Sequence, residues 1–72
     1  MAKSFDSEVR SAKIENARSA LAYYAELVEQ QKETLATNLK DLLADLMYLA
    51  EYEGIDFNLI HYKAAQYFED EQ

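Results

Sequence analysis

Gln30-Gln31-Lys32-Glu33-Thr34-Leu35-Ala36-Thr37-Asn38 decides how this chain folds. The stretch is polar and separates two long amphipathic segments, yet it holds neither Gly nor Pro to force a turn. Two folds fit it. In the first the chain turns here, with Asn38 followed three residues on by Asp41 as a cap for a second helix, and Thr34 as a second capping candidate. In the second a single helix runs straight through, because Ile14, Leu21, Val28, Leu35, Leu42 and Leu49 recur every seven residues. The companion apolar position shifts, however, from three residues later (Ala17, Tyr24) to four residues later (Leu39, Leu46), so a continuous helix needs a stutter. From about Ser4 to Glu53 such a helix would be about 75 Å long and stable only as a coiled coil. The helical hairpin is the favoured fold, with the coiled coil as its alternative.

Working outward, both flanks have helical periodicity. Val9, Ile14, Ala17, Ala20, Leu21, Tyr24, Leu27 and Val28 share one face before the polar stretch. Ala36, Leu39, Leu42, Leu43, Leu46, Leu49 and Ala50 share one after it. Ser4, Ser7 and Glu8 form a candidate N-terminal cap region. Gly54, the only Gly, reads as the left-handed residue after a helix C-terminus. Asp56 then caps a short third helix from Phe57 toward Glu69, on which Phe57, Ile60, His61, Ala64 and Phe68 share a face. The expected fold is all-α: one domain over residues 1–72, two long antiparallel helices and a short third.

Composition narrows the function classes. Of 72 residues, half are hydrophobic and fourteen are acidic against seven basic, for a net charge of −7. Without Cys there is no disulfide framework, thiolate metal site or cysteine nucleophile. One Gly and no Pro disfavour tight β-hairpins and phosphate-cradling loops. No apolar run spans a membrane and the opening residues are unlike a signal peptide, so a cytoplasmic protein is expected. The charge is uneven: three acids and four bases in residues 1–25, eleven acids and three bases in residues 26–72. An acidic body repels nucleic acid and anionic membrane, so direct binding to either is not expected. The bland meaning of this charge is solubility; the sharper one is imitation of a phosphate backbone.

Little here supports catalysis. His61 is the sole histidine, and Asn58, Ala64, Phe57 and Ala65 at helical spacing from it supply no catalytic or metal-binding partner. It reads as an amphipathic residue at the edge of a core. No Ser or Thr stands beside an activating base. Two carboxylate pairs, Glu26 with Glu29 and Asp41 with Asp45, supply the hard oxygen ligands that Mg²⁺ takes. Glu26-Leu27-Val28-Glu29, Asp45 and the Gly54-Ile55-Asp56-Phe57 turn weakly resemble all-α nucleotide pyrophosphohydrolases of the MazG type. That resemblance implies Mg²⁺-dependent hydrolysis, but Leu42 stands where the family carries an acid. Asp41 and Asp45 also project away from the Leu stripe, whereas a bundle site needs inward-pointing acids. No cofactor or metal is expected.

A second resemblance covers most of residues 9–69. Val9-Arg10-Ser11-Ala12-Lys13, Tyr23-Tyr24-Ala25-Glu26-Leu27, Leu42-Leu43-Ala44-Asp45-Leu46-Met47 and Gly54-Ile55-Asp56-Phe57 are similar to runs in a family of small proteins from bacteria, phages and mobile elements. The resemblance implies a prokaryotic or mobile-element origin and no particular activity.

The expected function is therefore a non-catalytic acidic helical interaction module, a regulator or inhibitor of a host protein. A reduced MazG-like hydrolase and a nucleic-acid mimic are the alternatives. So small a chain is expected to form a homodimer, with Leu35, Leu43 and Met47 available at the margins of the stripe. Tyr48, Tyr52, Tyr62 and Tyr23 lie off the core faces, and Tyr is enriched in interface hot spots. With Asp41, Asp45 and Glu51 as an acidic rim, they form the candidate surface for a basic partner protein.

Overall fold

The computed structural model describes residues 3–70, with side chains from residue 8 onward. The described chain is all-helical, with α1 over Lys3–Leu27, α2 over Leu35–Glu53 and α3 over Phe57–Asp70. Since α1 begins at Lys3, its start lies just ahead of the expected one, and the capping side chains of Ser4 and Ser7 lie outside the described residues.

The continuous helix is not what forms. The helix breaks over residues 28–34, earlier than the polar stretch alone suggested. Glu29 turns left-handed, with φ of 60°, and two backbone bonds close the end of α1 around it. Gln30 N donates to Ala25 O at 2.7 Å and Glu29 N to Glu26 O at 3.1 Å. These are the paired bonds that satisfy the last carbonyls of a helix in a Schellman motif. Gly54, with φ of 72°, ends α2 the same way, Ile55 N donating to Ala50 O at 2.8 Å and Gly54 N to Glu51 O at 3.2 Å. One motif uses the expected glycine and the other uses a glutamate.

Starts of helices follow the same accounting of orphan donors. Thr34 is the cap of α2: its Oγ1 accepts from the Thr37 N–H at 3.1 Å. Asn38 is not the cap, because its own N–H already bonds Thr34 O at 3.0 Å, which puts it inside the first turn. Its side chain instead donates from Nδ2 to Gln30 O at 3.2 Å and is buried, at 5% exposure. Asp56 caps α3 as expected, its Oδ1 accepting from Leu59 N at 3.1 Å.

The chain divides into two compact units, Met1–Leu42 and Leu43–Gln72. In the first, Leu21 and Ala25 of α1 are buried together with Asn38, and Tyr24, Val28 and Leu42 are half-buried. In the second, Ala50 alone is buried among the described residues, and α3 has no buried residue. The apolar faces expected to form a core are therefore largely open. Leu39, Leu46 and Leu49 of α2 and Ile60 and Phe68 of α3 all remain exposed. Helical periodicity marks an apolar face but does not say that the same chain covers it. Burial of one Leu and two Ala falls far short of the conformational entropy lost in ordering this chain. No helix among the described residues is long and apolar enough to cross a membrane.

Candidate interaction surface

The second unit carries an open cleft whose lining follows from the local sequence. The left-handed Gly54 ends α2, and the Asp56 cap starts α3 two residues later, so the two helices are joined by a connection of only a few residues. Ile55, Phe57 and Asn58 from that connection line the cleft together with Ala44, Met47, Tyr48 and Glu51 of α2. The cleft is open and encloses about 610 Å³. Its lining mixes apolar side chains (Ala44, Met47, Ile55, Phe57) with Tyr48, Asn58 and two carboxylates, Glu51 and Asp56. One oxygen of Asp56 is already used as the helix cap.

Among the expected partner-binding residues, Tyr48 and Glu51 are brought to this one cleft. Tyr48 is 72% exposed and Tyr52 85%, so neither is spent on packing within the chain. Tyr62, on α3, is also exposed, and its hydroxyl accepts from Gln66 Nε2 at 3.2 Å. Asp45 is exposed on α2 in the same unit but does not line the cleft. Tyr23 and Asp41 belong to the first unit, and Asp41 is half-buried with Oδ1 3.6 Å from Lys40 Nζ. Ile55 was missed from sequence, while Phe57 was expected on a core face of α3 and Met47 on a self-association surface; all three line the cleft. The signal was present in Gly54-Ile55-Asp56-Phe57, which places two large apolar residues around a helix-to-helix turn.

Other chemistry-bearing residues fall differently. The His61 ring stacks on Phe57, with centroids 6.4 Å apart and planes 9° from parallel. Glu26 and Glu29 do not share a helix face, because α1 ends at Leu27 and Glu29 lies in the left-handed turn beyond it. Glu26 instead lines a smaller cleft of about 410 Å³ in the first unit, with Arg18, Glu33 and Asn38. Among the described residues no three of His, Asp or Glu gather as metal ligands. No family model matches the chain, and neither a curated protein nor a solved structure does.

Proposed function

We propose that this protein is a non-catalytic helical interaction module that works as a homodimer and binds a basic protein partner through the cleft at the α2–α3 turn. The observation that carries this is the exposed Tyr48 with Glu51 on the lining of an open cleft that also holds Met47, Ile55 and Phe57. A tyrosine gives large contact area with a polar tip, and a pocket at a helix turn admits an apolar anchor side chain. Glu51, Asp56 and the chain's net charge of −7 favour a partner that presents Lys or Arg around that anchor. In the same proposal α1 and α2 lie antiparallel, which their short connection favours. The host-directed regulator of a phage or mobile element rests on the resemblance of residues 9–69.

The test uses a fluorescent basic amphipathic peptide of Lys and Leu, followed by anisotropy. Binding to the wild type is expected to fall at least about tenfold in Tyr48→Ala and Glu51→Gln, the size of effect of a modest hot spot. Thermal stability should stay near wild type in both. A melting temperature lowered by many degrees in Tyr48→Ala would make this tyrosine a folding residue, and the cleft would lose its assignment.

A further inference from the structure

Acidic and aromatic residues are concentrated in the second unit. Residues 43–72 hold seven of the fourteen acids, six of the nine aromatics and a single base, Lys63. The cleft at the α2–α3 connection draws on both kinds. Tyr48 and Glu51 stand three residues apart on α2, the spacing at which side chains are neighbours on a helix surface. Both are exposed, and among the described residues no hydrogen bond or ion pair engages the Glu51 carboxylate. Phe57 is half-buried and already stacked with His61, so Tyr48 is the more open aromatic ring of the lining.

We infer that the cation this cleft takes is the guanidinium of an arginine, laid over the Tyr48 ring with its N–H groups turned to Glu51. The inference rests on the basic-partner reading above and deepens it by naming the side chain that is recognised. A lysine ammonium is a compact, strongly hydrated point charge, and an exposed carboxylate gives it little reason to shed water. A guanidinium is planar and more weakly hydrated. It can stack on an aromatic ring and, at the same time, donate two parallel hydrogen bonds from its edge to one carboxylate. That double contact needs a ring and an uncommitted carboxylate side by side, which the Tyr48–Glu51 spacing supplies. Met47 and Ile55, also on the lining, offer apolar surface for the methylene stem. Seven acids against one base in the unit draw a cation toward the cleft.

Matched fluorescent peptides test this apart from the basic-partner reading. They share one amphipathic Leu pattern, and their polar positions are all Lys, all Arg, or all citrulline, the uncharged isostere of arginine. At physiological salt the Arg peptide is expected to bind the wild type about fivefold tighter than the Lys peptide, the size of a solvent-exposed cation–π contact, and the citrulline peptide more weakly than either. Tyr48→Leu keeps apolar bulk but removes the ring, so the arginine advantage should fall to within about twofold. Glu51→Gln should also lessen the advantage, because an amide offers one acceptor oxygen where a carboxylate offers two. Helicity of each variant is recorded first, and Glu51→Gln carries the test should Tyr48→Leu not fold. Equal affinity for the Arg and Lys peptides, or an advantage that survives the substitutions, overturns the arginine assignment and leaves the basic-partner reading standing. Binding of neither basic peptide, or citrulline binding as tight as arginine, overturns both.

Discussion

Glu29 occupies a backbone conformation that suits glycine. At φ of 60° an L side chain crowds its own carbonyl, a cost of about 1–2 kcal/mol that Gly avoids. Glu29→Gly should therefore stabilise the fold by about 1 kcal/mol, visible as a rise in melting temperature of several degrees. Gly54→Ala should do the reverse by a similar amount. Nothing lies within 4 Å of the added Cβ, so the cost comes from φ alone. Shifts of the same sign in the two variants would contradict this. Asn38→Ala should cost about 1–3 kcal/mol, since it removes the side-chain donor to Gln30 O; a neutral result in chemical denaturation would show that bond to be idle. Legibility at this scale followed chemistry. Gly54 and Asp56 were readable because a lone Gly after an apolar run, and an Asp before one, have few other uses. Glu29 was not, because nothing about a glutamate in a polar stretch signals a left-handed turn. Asn38 was misassigned because an amide caps a helix and bonds a loop carbonyl with equal ease.

Each helix is bounded by a device that can be removed separately. Thr34→Ala and Asp56→Ala each delete one side-chain acceptor for an orphan N–H, at an expected cost of about 1 kcal/mol. The loss should be local, with faster hydrogen exchange at the Thr37 amide in the first variant and at the Leu59 amide in the second. Unchanged exchange at those amides would mean the caps contribute nothing. Helix existence and extent were legible because the periodicity is unbroken over each span. The continuous-helix alternative arose from a coincidence of length. Residues 28–34 number seven, so the connection preserves the heptad phase from Val28 to Leu35 while the helix itself stops. Phase continuity therefore carried no information about backbone continuity here. In the cleft, Tyr48 and Glu51 were legible because they lie off the Leu stripe. Phe57 was assigned to a core face that the second unit leaves without a buried residue on α3.

For the molecule as a whole, association and partner binding are expected to respond oppositely to salt. Each copy carries a net charge of −7, so like-charge repulsion would oppose the proposed dimer, and raising salt screens it. Self-association should tighten between low salt and physiological ionic strength, while capture of the basic peptide weakens. Parallel salt dependence of the two would mean that one surface serves both. Melting temperature should also rise with protein concentration, because a chain with so little buried within it completes its core by mass action. The most direct single measurement is sedimentation at low micromolar concentration in physiological salt, with helicity recorded on the same sample. A helical species of twice the 8.3 kDa chain mass is expected. A cooperatively folded monomer of 8.3 kDa would contradict the proposal that the chain works as a homodimer.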